Sequence, residues 1–303
     1  MKNRSLISIN DFSKAEQLKI LELAAEFEKD SRQQILTKHV IASLFFEPST
    51  RTRLSFESAI SMLGGHIIGF TDASSSSVKK GESLRDTIKT VSNYADLIVM
   101  RHPFDGSARF ASEIAGVPVI NAGDGSNQHP TQTLLDLYSI LKTQNTLENL
   151  TVGFVGDLKY GRTVHSLLMA LSNFNCKFHF VAPSFLQIPK QYKMLLNDKG
   201  LEFHTLSNIQ DIISDVDILY MTRIQRERFS DPSEYEKVKD SYELKRDDLS
   251  TAKGNMKVLH PLPRVNEINV DVDDSEKGYY FQQALNGVYV RQAIVSLILG
   301  LKK

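Results

Sequence analysis

A single cysteine among 303 residues, Cys176, leaves no internal disulfide and no metal site built on several thiolates. Its surroundings, Asn175-Cys176-Lys177-Phe178-His179-Phe180-Val181, alternate as a strand does, which suits a buried structural thiol better than a nucleophile. Long apolar runs are also missing, and no stretch is sufficient to span a bilayer. The start, Met1-Lys2-Asn3-Arg4, turns polar without the apolar segment and small-residue cleavage site of a signal peptide, so a cytoplasmic setting is expected. Charge of one sign is not in excess. With 36 basic and 36 acidic side chains the formal net charge is zero, which argues against nucleic acid or an anionic membrane as the main partner. No repeat of solenoid period is visible, and the histidines and carboxylates nowhere gather at metal-ligand spacing.

What the chain does have is the length for roughly two domains. Its 41% hydrophobic and 24% charged content are those of an ordinary globular enzyme. Asp11-Phe12-Ser13-Lys14-Ala15-Glu16-Gln17 reads as a capped helix start, continued by apolar residues through Phe27. Val40 to Phe46 then reads as a buried strand, and Arg53 to Leu63 as a helix. Ser49-Thr50-Arg51-Thr52-Arg53 therefore falls at a helix start, where unpaired backbone N–H groups and the helix dipole favour an anion. The plain alternative is an N-cap followed by solvated arginines; five donors in a row weigh toward a phosphate cradle.

Hydrophilic strand ends recur. A short strand over His66–Phe70 leads to a serine-rich loop holding Ser76, and then to Lys79 and Lys80; taken alone it reads as a solvated surface loop that could also suit an anion. After a helix over Leu84–Tyr94, the strand Ala95–Met100 delivers Arg101-His102-Pro103 at its end, where open α/β sheets bind ligands. Another strand near Val117–Ala122 precedes Ser126-Asn127-Gln128-His129-Pro130-Thr131-Gln132-Thr133, which opens a long helix. His129 and Gln132, three apart, share its first turn.

A second domain begins near Leu150. Thr151–Asp157 is a strand followed by a helix from Thr163, with Gly153, Gly156 and Gly161 failing the dinucleotide G-x-G-x-x-G spacing; the turn presents Arg162 instead. Asp217–Thr222 reads as a strand ending in Arg223-Ile224-Gln225, and Met256–Leu259 as one ending in His260-Pro261-Leu262-Pro263-Arg264, where two prolines impose a rigid turn. Tyr280–Ala284 and Val288–Leu301 read as two helices.

Taken in this order, Ser49-Thr50-Arg51-Thr52-Arg53, Arg101, His129-Pro130-Thr131-Gln132, Arg162, Arg223-Ile224-Gln225 and the turn after His260 resemble the transcarbamoylase family, over nearly the whole chain. The resemblance implies an α/β fold of two domains, each a mostly parallel sheet flanked by helices. A carbamoyl phosphate domain would occupy residues 1–132, an interdomain helix 133–149 and an aspartate domain 150–287, with a C-terminal helix over 288–303 packing back on the first domain. It implies that Ser49, Thr50, Arg51 and Thr52 hold the phosphate of carbamoyl phosphate and that Arg101 and His129 meet its carbonyl oxygen, with Gln132 on its nitrogen. Ser76 and Lys80 match residues that enter a neighbouring subunit's site, which turns the reading of that loop from solvated surface to function. Arg162, Arg223 and Gln225 match the ligands of the aspartate carboxylates, Pro261 and Leu262 a turn whose carbonyls face the substrates, and Arg291 an arginine nearby.

The reaction so implied is attack of the uncharged aspartate amine on the carbamoyl carbon with loss of phosphate, a step of de novo pyrimidine biosynthesis. Thr52, Arg101 and His129 would form the oxyanion site, and Ser49, Thr50, Arg51 and Lys80 would receive the departing phosphate. No metal, cofactor or covalent intermediate is called for. The resemblance further implies a homotrimer with shared sites, and leaves open a separate regulatory chain. An ornithine-type acceptor is the nearest rival; that branch carries a cysteine where this chain has Pro261, and Arg162, Arg223 and Gln225 suit a dicarboxylate instead. A non-catalytic anion-binding subunit of the same fold would require a lost catalytic residue, and none is missing.

Overall fold

The structure, a computed structural model, describes every residue except 73–76, 225–230, 237, 239–240 and 303. By its internal contacts the chain divides into two compact units, Met1–Tyr138 with Ala284–Lys303, and Ser139–Gln283. Among the described residues no helix is long and apolar enough to cross a membrane.

The first unit opens with α1 (Lys14–Lys29). Its start is the expected capping box: the Ser13 hydroxyl accepts from the Glu16 N–H, and the Glu16 carboxylate accepts from the Ser13 N–H. Then follow β1 (Val40–Phe45), α2 (Thr50–Met62), β2 (His66–Phe70), α3 (Leu84–Val91), β3 (Leu97–His102), α4 (Ser107–Ile114) and β4 (Val119–Asp124). Strand and helix alternate, so neighbouring strands run parallel, and the sheet order is β2-β1-β3-β4. β1, β3 and β4 are buried almost along their whole length, as strands covered on both faces must be. α3 stops at Val91, three residues earlier than its pattern suggests, where the Ser92 hydroxyl donates to the Ile88 carbonyl and the chain turns.

α5 (Pro130–Gln144) carries the chain into the second unit, where β5 (Thr151–Val155), α6 (Arg162–Leu171), β6 (Lys177–Val181), α7 (Lys190–Asp198), β7 (Phe203–Leu206), β8 (Ile218–Met221), α8 (Pro232–Glu236) and β9 (Lys257–Leu259) follow. Its sheet, also parallel, runs β7-β6-β5-β8-β9. Phe154, Phe178 and Phe180 stack across β5 and β6, and Tyr220 meets Phe154 edge-on. Cys176 is buried and its thiol lies 3.2 Å from the Leu147 carbonyl.

α9 (Tyr280–Ile298) is one continuous helix where the sequence suggests two. Asn286-Gly287 looks like a break because glycine is a poor helix former. Here glycine serves packing: a Cβ at Gly287 would stand 2.2 Å from the Arg291 Nη1 and 3.0 Å from the Leu135 Cδ2. The missing side chain lets Arg291 lie against its own helix beside α5.

Candidate active site

In each sheet the strand order reverses beside its first strand, and there two neighbouring loops part to opposite faces and leave a crevice at the strand ends. In the first unit this point lies between β1 and β3. Phe45 pairs with Arg101, and the Phe46 N–H donates to the Arg101 carbonyl at 2.9 Å, so the loop 46–49 and Arg101 emerge side by side. Ser49 takes the N-cap position of α2 in extended conformation, yet its side chain makes no cap hydrogen bond. The capping alternative read from the sequence is therefore not what the Ser49 hydroxyl does. Thr52 faces inward and is buried, whereas Thr50 and Arg51 are exposed and Arg53 turns along the helix to Glu57, at 3.2 Å.

Arg101 donates from Nε to Glu47 Oε1 at 2.7 Å. Burial pulls the guanidinium below the usual arginine value, and the Glu47 charge pulls it back. Glu47 lies between β1 and the Ser49–Arg53 segment, and an acid beside so many cations is the sequence signal for this pairing.

His129 comes to the site from the end of β4. Asp124, fully buried, organises the intervening loop: its carboxylate accepts from the Gly106 and Gln128 N–H groups and from the side chains of Asn121 and Asn127, at 2.8 to 3.1 Å. Pro130 then occupies the first position of α5, where its missing N–H costs nothing. His129 is buried and its carbonyl accepts from the Gln132 and Thr133 N–H groups, so histidine and glutamine sit on one helical turn. The Gln132 Nε2 donates to Asp136 at 2.8 Å. Lys80 ends a 3-10 turn, Ser77–Lys80, and is exposed; Ser76 lies outside the described residues.

Arg291 also belongs to this unit. It is almost wholly buried, donates from Nη1 to the Ser55 hydroxyl at 2.9 Å and lies over the Phe56 ring at 4.9 Å. Burial lowers it to about 10 against the attraction of Asp136, so at neutral pH the guanidinium stays charged.

The second unit has its reversal between β5 and β8. Arg162 opens α6 after β5, and Arg223 stands two residues beyond β8. The strand ends are pressed together here: Gly156, at φ +113°, leaves space for the Thr222 carbonyl, which a Cβ would meet at 2.1 Å. The Thr222 N–H and hydroxyl both donate to the Val155 carbonyl, at 2.8 and 3.0 Å. Both arginines are half-buried; Gln225 lies outside the described residues.

The turn after β9 belongs to the same unit. Leu262 is held at φ +56°, a left-handed conformation unusual for a side chain with a Cβ, and its N–H donates to the His260 Nδ1 at 2.7 Å. A backbone N–H can only donate, so Nδ1 is the acceptor and the imidazole hydrogen is on Nε2, donated to Glu267 at 2.6 Å. Glu267 also accepts from the Val265 and Asn266 N–H groups, at 3.0 and 3.1 Å. Burial pushes its carboxyl up, and these hydrogen bonds, led by that of His260, more than offset the rise and leave it below the usual glutamate value. Pro261 and Leu262, the expected substrate-facing pair, are partly exposed at the tip of this braced turn. Arg264 is used structurally, paired with Asp273 and with the Tyr280 hydroxyl.

Among the described residues no three His, Cys, Asp or Glu side chains are placed to hold a metal ion. The two strand-order reversals carry hydroxyl and guanidinium groups, donors of the kind that suit phosphate and carboxylate.

Comparison with known proteins agrees along the whole chain. Residues 4–142 match the family description "Aspartate/ornithine carbamoyltransferase, carbamoyl-P binding domain", and residues 148–298 match "Aspartate/ornithine carbamoyltransferase, Asp/Orn binding domain". The aspartate carbamoyltransferase catalytic subunit of Bacteroides fragilis is 58% identical over 303 residues, covering 99% of this chain and 98% of that protein. The corresponding subunit of Chromobacterium violaceum is 55% identical over 300 residues, with 99% of each covered. Among solved structures, the M. jannaschii aspartate transcarbamoylase catalytic subunit is 50% identical with a TM-score of 0.92, covering 99% of both chains. The Trypanosoma cruzi aspartate transcarbamoylase complex with carbamoyl phosphate and aspartate is 35% identical with a TM-score of 0.93, over 98% of this chain and 97% of that one.

Proposed function

Because the chain belongs to the aspartate/ornithine carbamoyltransferase family, we propose that it transfers the carbamoyl group of carbamoyl phosphate to the amine of L-aspartate, giving N-carbamoyl-L-aspartate and phosphate for pyrimidine biosynthesis. The observation that carries this reading is the placement of cations at both strand-order reversals, Ser49–Arg53 with Arg101 in one sheet and Arg162 with Arg223 in the other. The first set suits an acyl phosphate, and the second suits a dicarboxylate.

The roles follow from chemistry. Ser49, Thr50, Arg51 and the first-turn N–H groups of α2 hold the phosphate. Thr52, Arg101 and His129 donate to the carbonyl oxygen as the aspartate amine adds to the carbon and the oxygen gains charge; one such donor is worth about 3 kcal/mol. Gln132 accepts from the carbamoyl nitrogen. Arg162, Arg223 and Gln225 take the two carboxylates of aspartate, with the Pro261 and Leu262 carbonyls toward the reacting groups and Arg291 behind the phosphate-binding helix. The C–O bond to phosphate breaks as C–N forms, and the departing phosphate takes the amine proton. Holding two substrates in line supplies much of the remaining acceleration.

Ser76 and Lys80 complete a neighbour's site in a homotrimer, and the enzyme works in the cytoplasm; a regulatory chain is compatible with the catalytic-subunit names of its relatives. The test is an assay of N-carbamoyl-aspartate from purified chain and from a mixture of two inactive variants, Lys80→Ala and Arg51→Ala. Wild type forms one product per phosphate released, and subunit exchange between the variants restores part of the activity. Wild type without product overturns the reaction; active wild type with no recovery after verified exchange overturns the shared site alone.

A further inference from the structure

The notable group behind Gln132 is a carboxylate with no exposure to solvent. Asp136 lies one turn further along α5, its side chain 0% accessible, and its Oδ1 accepts from the Gln132 Nε2 at 2.8 Å. The spacing i, i+4 places the two side chains one above the other on the same helix face. A buried carboxylate is costly unless opposed by positive charge. That charge is Arg291, itself only 2% exposed, which acts on Asp136 and is seated by Ser55 and the Phe56 ring. Gly287 makes the seat possible, since any side chain there would strike the Arg291 guanidinium.

An ionised carboxylate only accepts hydrogen bonds, so it must face the NH2 end of the Gln132 amide. The two ends of a primary amide diverge from one carbon, and fixing the NH2 on Asp136 commits the oxygen to the other side. Without Asp136 the amide could rotate half a turn and offer donor or acceptor with nearly equal ease. The choice matters because the carbamoyl group carries an NH2, which needs an acceptor. We infer that Asp136 is a positioning residue that holds the Gln132 carbonyl oxygen toward the donor's amino group, and so makes the enzyme select an amino-bearing acyl phosphate over one with a methyl group in its place. The inference rests on the carbamoyl-transfer reading and adds to it the origin of donor selectivity.

The Asp136→Asn variant is nearly isosteric and carries both an oxygen and an NH2; the Arg291 guanidinium draws the oxygen, which leaves the NH2 toward Gln132 and turns its amide the wrong way. Steady-state kinetics with carbamoyl phosphate and with acetyl phosphate, at fixed aspartate, separate the possible effects. A site built to hydrogen-bond a substrate group rejects the analogue that lacks it, so losing the acceptor removes the preference for the amino-bearing donor. The expected result is a fall of about tenfold or more in kcat/KM for carbamoyl phosphate, carried mainly by KM, with acetyl phosphate changed by less than about twofold as substrate or as competitor. Equal losses for both donors, or no loss for either, would overturn the assignment. Asp136→Glu keeps the buried charge beside Arg291 while moving the acceptor; it is held to the same ratio should the asparagine variant not fold. In the Gln132→Leu background, Asp136→Asn should leave the donor ratio where Gln132→Leu alone put it. A wild-type protein that forms no carbamoyl product would sink the underlying reaction instead, an outcome distinct from an active enzyme whose donor ratio does not move.

Discussion

Arg101 and His129, both proposed to meet the carbamoyl carbonyl oxygen, are held by unlike surroundings. Arg101 is tethered through Nε to Glu47, so its position is fixed by a residue just before the Ser49–Arg53 segment. His129 is placed by backbone: Asp124 clamps the loop before it, and Pro130 starts the helix after it. The sequence showed both residues, since each follows a strand, but not Glu47, Asp124 or Asp136, whose importance lies in what they touch. A side chain at sequence distance 18 or 54 from its partner leaves no periodic trace, and the i, i+4 spacing of Gln132 and Asp136 marks a shared helix face without marking that the carboxylate is buried. With backbone contacts holding the chain on both sides of it, His129→Ala should fold normally and lower kcat by about 100-fold, with a smaller change in the KM of either substrate. Saturation kinetics with both substrates, beside an unchanged circular dichroism spectrum, check this; kcat within a few-fold of wild type would remove His129 from the oxyanion site.

At the scale of elements, the capping box of α1 and the parallel strands were legible from local pattern, and the continuity of α9 was not. Gly287 signals a helix break when only propensity is weighed, and its true role depends on Arg291 and Leu135 in space. The turn after β9 shows the same division. Its prolines announce rigidity, but the brace is His260 on Glu267, seven residues apart and both buried. Glu267 has a folded-state pKa below its ordinary 4.5, so the folded chain binds fewer protons than the unfolded one in the window beneath that value. Its stabilising contribution is complete above the unfolded pKa and is lost as pH falls through the folded one. Glu267→Gln should therefore be less stable than wild type near neutrality, with the gap closing on the acid side. Urea midpoints measured from about pH 7 to about pH 3 give the comparison; a gap that stays constant over that range would show that the Glu267 charge does not brace the turn.

For the whole molecule, the strand orders β2-β1-β3-β4 and β7-β6-β5-β8-β9 are the decisive feature, and a single sequence does not reveal them. It could show which strands ended in cations. Only the topology shows that β1 with β3, and β5 with β8, are neighbours, which brings Ser49–Arg53 to Arg101 and Arg162 to Arg223. Ser76 and Gln225 fall outside the described residues and are assigned through family resemblance alone. The proposed choice of acceptor lies at the second reversal, because an acyl-phosphate cradle serves any carbamoyl acceptor, while two arginines favour a dicarboxylate over a cationic amino acid. The most direct measurement supplies the purified chain with carbamoyl phosphate and equal concentrations of L-aspartate and L-ornithine and resolves the carbamoylated products. N-carbamoyl-L-aspartate should exceed citrulline by at least about 1000-fold; citrulline in comparable or greater amount would contradict the account.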